Sequence, residues 1–432
     1  MYITQCVIAK NEEKNIEYCL KHLKSVVDEQ IVVDTGSTDR TVEISKELGA
    51  KIFHFDWIDD FSAARNFALE KARGDWIIFL DCDEYFTDGS IPLIRGYLKN
   101  INGNKKIDGV RTEIINIDNG KNVISTVKNT SQRIFRNKNS IKYRNRIHEF
   151  LIDAKRNEFN FAVTTTDGSN ELKIIHTGYD KITVHEKNKN QRNIDLLKKE
   201  LDENPTDSHL NLYISTSLYM NQEYKESLDY ALKALKCIDQ SKDLDYYPTI
   251  YSNILYTMLT LGISYDEMKL IYDEAVSKYP KYPDYYRAIG IAALNVGNTK
   301  ESIKLLEQCI YYCNNYNSKI ESIALGQIEK VYAELLNAYI LDNNKAKVVE
   351  LSVALLNVNK YEYENLTLLI KTLLTKENED DIIRFLSKIY DYNNFKDKLY
   401  LLKSCEASDN IKLINYYKSL LNKEELSAFR TI

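Results

Sequence analysis

Proline is scarce in this 432-residue chain, at 5 residues, and glycine contributes only 14, which excludes collagen-like and long disordered segments. The whole chain is expected to fold. No run of about 18 apolar residues occurs, so no membrane-inserted helix is expected, and the N-terminal QCVIAKNEE is polar and strand-like rather than a signal peptide. A cytoplasmic location follows as an expectation. The 58 basic and 63 acidic side chains nearly cancel, so no global basic field recruits nucleic acid or an anionic membrane surface. The cysteines Cys6, Cys19, Cys82, Cys237, Cys309, Cys313 and Cys405 are odd in number and include no CxxC pair, which argues against a disulfide framework or a zinc site. GxxxxGK[S/T], GxGxxG after the first strand, GxSxG and HExxH are all missing. P-loop hydrolysis, dinucleotide redox chemistry, serine hydrolysis and zinc proteolysis therefore lack their minimal parts.

What is present divides near Tyr179. Trp57, Trp76 and ten of the 14 glycines precede residue 180, whereas 26 of the 32 tyrosines follow it, a shift that points to two architectures. In the first part, strand Cys6 to Ala9 precedes a helix face of Ile16, Cys19, Leu20 and Leu23. Then come strand Ile31 to Val33, a turn at Gly36 to Asp39, and a helix carrying Val42, Ile44 and Leu48 and closed by Gly49. Strand Lys51 to Phe55, helix Phe61 to Ala72 and strand Trp76 to Leu80 continue the rhythm. It predicts an α/β, Rossmann-like domain with a largely parallel sheet and helices on both faces. The second part reads as nearly all helix. Gln222, Gly262 and Gly297, separated by 40 and 35 residues, lie between amphipathic patterns. Tyr286, Gly290, Ala293, Gly297 and Ser302 occupy tetratricopeptide-like positions, with Pro280 and Pro283 between repeats. Beyond residue 315 the period becomes irregular.

Ligands of such sheets sit at the carboxyl ends of the strands, where Asn11-Glu12 follow Ala9, Asp34 follows Val33, and Asp81-Cys82-Asp83 follow Leu80. In extended backbone Asp81 and Asp83 would face one side, as a pair suited to Mg²⁺ or Mn²⁺ against a diphosphate; the alternative is a solvated strand end. Asp34 either accepts from a pyrimidine imide or ribose hydroxyl, or closes an Asx-turn. Asn11 and Glu12 either contact ligand or cap the next helix. Arg65, within FSAARN, either reaches a nucleotide or makes a surface ion pair. Trp57 is expected to pack as core. His148 and Glu149, in RNRIHEF, and His176, before Gly178-Tyr179, complete the set. An imidazole here is a competent third Mn²⁺ ligand and Glu149 a competent general base, and each also has a reading as an ordinary hydrogen-bonded residue.

Together the ordered segments IAKNEE, VVDTGSTDRT, DFSAARN and FLDCDE resemble the family 2 glycosyltransferases, which have the GT-A nucleotide-sugar-binding fold. The resemblance implies inverting transfer from a UDP-sugar, GlcNAc or glucose, with a divalent metal. By it, Asp34 contacts uridine, Asp81 and Asp83 engage ribose and metal-bound diphosphate, and a carboxylate base assists the acceptor. Taken with the residues read above, the expected nucleotide-sugar site is Ala9, Asn11, Glu12, Asp34, Arg65, Asp81 and Cys82, the expected metal ligands are Asp83 and His176, and the expected catalytic residues are Asp83, His148 and Glu149. Many relatives have two acids where this chain has Asp34-Thr35. FSAARN, RIHEF, HTGY and the helical half are similar to a subgroup that includes peptide S-glycosyltransferases of bacteriocins and flagellin glycosyltransferases. The organisation expected is a catalytic domain at 1–180, a connecting helix at 181–205 and tetratricopeptide-like repeats at 206–432. A polypeptide acceptor modified at Ser, Thr or Cys is expected, the repeats presenting it or flanking a two-fold dimer contact. The same chemistry on a glycan or lipid-linked acceptor, and a non-catalytic scaffold, are the alternative readings.

Overall fold

The computed structural model describes residues 1–117, 123–162, 172–177, 184–238, 246–318 and 320–429; Gly178 and Tyr179 lie outside them. The first compact unit, Met1–Gln222, begins β1 (Ile3–Ala9), α1 (Ile16–Lys21), β2 (Glu29–Asp34), α2 (Thr41–Glu47), β3 (Lys51–His54), α3 (Phe61–Lys71) and β4 (Trp76–Phe79). It continues with β5 (Glu84–Phe86), α4 (Ile91–Ile101), β6 (Gly109–Ile117), β7 (Val123–Arg136), β8 (Ile141–Arg144), β9 (Phe150–Asp153), β10 (Phe161–Ala162) and β11 (Lys173–His176). Helices α5 (Val184–Glu203) and α6 (Ser208–Met220) close it.

Side-chain alternation along the central strands builds two cores, one on each face of the sheet. Ile3 and Val7 of β1, Val32 of β2, and Trp76 and Ile78 of β4 meet α1 and α4 on one face. Cys6, Ile31, Val33, Ile77 and Phe79 meet Ala68 and Leu69 of α3 on the other. The expected helices on both faces are therefore present. The sheet is also largely parallel, with β5 and β7 running against its other strands. Strands β3, β2, β1 and β4 are parallel, but β7 runs antiparallel to both β4 and β6. β11 lies parallel to β6 and antiparallel to β5, β10 pairs with β6, and β8 and β9 form a separate ribbon. The parallel rhythm ends because the chain after α4 returns through an antiparallel β6–β7 pair rather than through a crossover helix.

Trp57 also differs from expectation. It is half-buried, edge-on to Phe61 at 4.8 Å, with its indole N–H donated to Asp59 at 2.9 Å. A ring whose polar edge has a partner beside it stays at the surface.

The second compact unit, Glu223–Ile432, is helical throughout its described residues. It opens with α7 (Tyr224–Cys237), α8 (Tyr247–Thr260), α9 (Tyr265–Lys278), α10 (Pro283–Asn295), α11 (Thr299–Asn314), α12 (Ile323–Gly326) and α13 (Ile328–Leu341). Then follow α14 (Lys345–Val358), α15 (Tyr363–Leu373), α16 (Glu379–Leu386), α17 (Phe395–Ala407), α18 (Ile411–Ser419) and α19 (Lys423–Phe429). Pro283 opens α10, where no N–H is needed. Gly290 lets α10 approach α11, since a Cβ there would lie 3.0 Å from Leu306 Cγ. Gly262 and Gly297 end helices with φ of 66° and 78°. Asn343 and Asp409 take the same left-handed conformation at the ends of α13 and α17, so the helix-pair texture persists where glycine spacing no longer marks it.

Candidate active site

The loops after β1 and β2 are laced together. Asn11, left-handed at φ 57°, accepts on Oδ1 from Thr38 N–H at 2.8 Å, while its own N–H donates to Ser37 Oγ at 3.0 Å. Glu12 N–H donates to Thr41 Oγ1 at 2.7 Å. Asn15, not Asn11 or Glu12, occupies the N-cap of α1, so the capping alternative for these two side chains is not what the structure has. Ala9 C=O accepts from Thr35 N–H at 2.9 Å. Asp34 closes an Asx-turn, accepting from Ser37 N–H at 3.0 Å and Gly36 N–H at 3.3 Å, and its Oδ2 lies 3.4 Å from His54 Nδ1. Gly36, at φ 104°, supplies the left-handed residue this turn requires.

Asp81-Cys82-Asp83 does not continue the strand. Glu84 N–H donates to Asp81 C=O at 3.1 Å, and Glu84 Oε2 accepts from Asp81 N–H at 3.1 Å, so the triplet is a turn and its two carboxylates find different partners. The expected extended pair is corrected accordingly. Cys82 is buried, its thiol 3.7 Å from Ile8 C=O, and burial pushes the thiol well above its ordinary pKa.

Asp81 lies between the buried Arg65 and the half-buried Arg133. Arg65 Nη2 donates to Oδ1 at 2.8 Å and Arg133 Nη2 to Oδ2 at 2.6 Å. The same Arg65 donates through Nε to Glu149 Oε1 at 2.5 Å, and Arg133 also donates to Glu84 Oε1 at 2.6 Å. The result is an alternating chain, Glu149–Arg65–Asp81–Arg133–Glu84. Burial alone would raise the Asp81 carboxyl; Arg133 and Arg65 outweigh it and hold the group well below the usual carboxylate range. Glu84 moves the other way, raised by burial and by Asp81 against the pull of Arg133. Phe79 lies under the Arg65 guanidinium, 4.7 Å from ring centroid to Cζ, and supplies an aromatic floor. Arg65 is thus not a surface ion pair: at 4% exposure, it joins Glu149 to the Asp81 turn.

Asp83 and His176 form the second centre. His176 Nε2 lies 3.2 Å from Asp83 Oδ2, and its Nδ1 lies 2.9 Å from Asn116 Oδ1. Burial lowers the imidazole pKa, but the hydrogen bond and charge of Asp83, with Glu84 and Asp81 behind it, raise it overall. Thr177 pins the turn, donating from N–H at 3.1 Å and Oγ1 at 3.2 Å to Asp83 C=O.

His148 and Glu149 sit side by side but face different neighbours. His148 is exposed and left-handed at φ 52°, and stacks on Tyr213 of α6 with ring centroids 4.5 Å apart. The segment before it is held by Arg146, whose N–H donates to Glu200 of α5 at 2.9 Å and whose carbonyl accepts from Phe61 N–H at 2.9 Å. Sequence reasoning missed Arg133, Asn116 and Tyr213. Only Glu84, inside the FLDCDE segment, had a visible signal.

Acidic residues that follow parallel strands, met by Arg65 of α3 and Arg133 of β7, thus form the candidate site. Residues 4–150 match the family described as Glycosyl transferase family 2. Among curated proteins, the SPbeta prophage-derived glycosyltransferase SunS of Bacillus subtilis is 29% identical over 66% of this chain and 66% of its own. A TPR repeat-containing protein of Synechococcus elongatus is 30% identical over 54% of this chain and 56% of its own. The chain thus spans 56% and 66% of these relatives' lengths. Among solved structures, S. aureus TarS aligns with a TM-score of 0.36 at 16% identity, covering 59% of this chain and 52% of that one.

Proposed function

We propose that the protein is an inverting glycosyltransferase that moves a sugar, GlcNAc or glucose, from a UDP-sugar to a Ser, Thr or Cys side chain of a polypeptide. The observation that carries this reading is Arg65, which ties Glu149 to the Asp81 turn within the residues that match family 2. It supports Glu149 as the base: one carboxylate oxygen is held by Arg65, and the other is the acceptor for the proton of the incoming hydroxyl or thiol. The acceptor oxygen or sulfur forms the new bond to the anomeric carbon as the bond to the diphosphate oxygen breaks, and the electron pair leaves with UDP. His148, exposed beside Glu149, lines the acceptor side. Asp34, with the Asn11-Glu12 loop laced to its own, receives the nucleoside.

A divalent cation fits the donors present. Asp83 Oδ2 and His176 Nε2 are 3.2 Å apart, near the roughly 3.0 Å between neighbouring ligands on one octahedral ion with bonds of about 2.1 Å. No third His, Cys, Asp or Glu joins them among the described residues, which leaves coordination positions for phosphate oxygens. When bound, such an ion supplies charge neutralisation to the departing diphosphate. Support for a polypeptide acceptor comes from the helical unit, whose cleft of about 520 Å³ is lined by Tyr279, Tyr282, Tyr311, Tyr312 and Tyr316. No described helix is long and apolar enough to cross a membrane.

The test is mass spectrometry of purified protein with Mn²⁺, a panel of UDP-sugars and polypeptides presenting Ser, Thr or Cys, beside Asp83→Ala. A hexose or N-acetylhexosamine mass increment that needs metal and is lost in the variant is expected. Absence of transfer, of UDP-sugar hydrolysis and of UDP binding by calorimetry would together overturn the catalytic reading in favour of a scaffold.

A further inference from the structure

Strands β6 and β11 run parallel with Asn116 directly opposite His176, and side chains in register on neighbouring strands emerge on the same face. Asn116 is buried, at 4% exposure, and its Oδ1 lies 2.9 Å from His176 Nδ1. An amide oxygen accepts and cannot donate, so this contact places a hydrogen on Nδ1. A neutral His176 then carries its lone pair on Nε2, the atom that faces Asp83 Oδ2 at 3.2 Å. We propose that Asn116 is a positioning residue that fixes the tautomer and ring orientation of His176, so that Nε2 and Asp83 together present a two-point site for a divalent cation carrying a nucleoside diphosphate. This rests on the metal reading given above.

The chemistry is that of an outer partner of a metal-binding imidazole. A ring whose Nδ1–H is accepted by a fixed oxygen cannot turn its protonated nitrogen toward the cation, and its remaining nitrogen becomes a better donor. Asn116 suits this role because burial and the sheet fix it. Asp83 has its own support, since Thr177 holds the Asp83 carbonyl through two hydrogen bonds. The two ligands are therefore oriented by separate residues, and Asn116 acts on only one of them.

The experiment measures Mn²⁺ affinity of the full chain in the presence of UDP, by electron paramagnetic resonance of free Mn²⁺ and by calorimetry. Wild type is compared with Asn116→Leu, Asn116→Asp and His176→Ala. Leu fills similar volume and accepts no hydrogen; Asp restores an acceptor oxygen at the same reach. The expected result is a 10- to 100-fold weaker Mn²⁺ affinity for Asn116→Leu, the usual cost of losing such a partner, with Asn116→Asp within about threefold of wild type. Should Leu prevent folding, Asn116→Ser, too short to reach Nδ1, replaces it. Wild-type affinity in Asn116→Leu or Asn116→Ser overturns the inference, as does equal loss in Asn116→Asp, which would mark Asn116 as packing. Undiminished affinity in His176→Ala overturns His176 as a ligand. Absence of Mn²⁺ binding in wild type overturns the metal reading itself, an outcome distinct from the others.

Discussion

Replacing Arg65 with methionine should damage stability and chemistry together, because one guanidinium serves Asp81 and Glu149 at once. The size of the effect follows from what is stranded. Glu149, with its side chain 14% exposed, loses its ion-pair partner, whereas Asp81, at 35%, keeps Arg133. Breaking a buried pair typically costs about 3–5 kcal/mol, so the retained Arg133 and the water access of Asp81 place the expected loss near the lower end, about 3 kcal/mol. At about 2–4 °C per kcal/mol for a unit of this size, the melting temperature should fall by roughly 6–12 °C. Arg65→Lys should lie between, since a single ammonium cannot reproduce the Nε and Nη2 contacts. Trp57 and Trp76 are the only tryptophans in the chain, and both belong to the first compact unit. Their fluorescence during thermal unfolding therefore reports on this unit alone. Activity measured below the transition should drop by about 10²–10⁴, the usual contribution of a positioned base. A tryptophan-monitored transition within about 1 °C of wild type, with activity intact, would refute the view that Arg65 organises the site.

Asp108 is buried, and Arg156, Lys138 and Asn160 N–H outweigh the upward push of burial to hold its carboxyl below the ordinary range. Its stabilisation is therefore complete above an unfolded-state value of about 3.9 and is lost as pH falls through the lower folded value. Asp108→Asn should cost roughly 2 kcal/mol at pH 7, less than for a fully buried pair because Lys138 and Arg156 retain water access, and the gap should narrow in urea melts as pH drops below about 4. In the helical unit, Gly290→Val should destabilise by about 1–3 kcal/mol through collision with Leu306, seen as a lower urea midpoint in far-ultraviolet circular dichroism.

The half of the sheet built from β1 to β4 was legible because β1, β2 and β4 contain apolar runs and each of the first three strands is followed by a helix. The antiparallel half was harder. A hairpin signal, Asp118-Asn119-Gly120, stands between β6 and β7 in the sequence, but the strands around it mix polar and apolar residues too evenly to separate sheet from loop. Within the site, residues at strand ends were recognisable by position, while their partners were not. Arg65 meets Glu149 across 84 residues, Arg133 meets Asp81 across 52 and His176 meets Asn116 across 60. Each partner is an ordinary residue type whose place depends on sheet order. The turn at Asp81 was misread because local hydrogen bonding by the Glu84 side chain overrides the extended geometry of the strand before it.

The partnering of Asp81 bears on how the domain would meet the diphosphate of the proposed donor. Arg65 and Arg133 are committed to Asp81, Glu149 and Glu84, so their positive charge is already matched by carboxylates before any ligand arrives. Asp83 adds a further negative charge at the point where phosphate oxygens would approach. A nucleoside diphosphate brought there without a cation meets repulsion that these arginines have no spare charge to relieve. Metal should consequently be needed for binding and not only for the chemical step. Calorimetric titration with UDP should show binding in Mn²⁺ and at least a tenfold loss of affinity in excess chelator, about 1.4 kcal/mol. Equal affinity under both conditions would mean that the diphosphate is held by donors elsewhere, and that the Asp83–His176 pair is a hydrogen-bonded contact of the fold rather than a cation site.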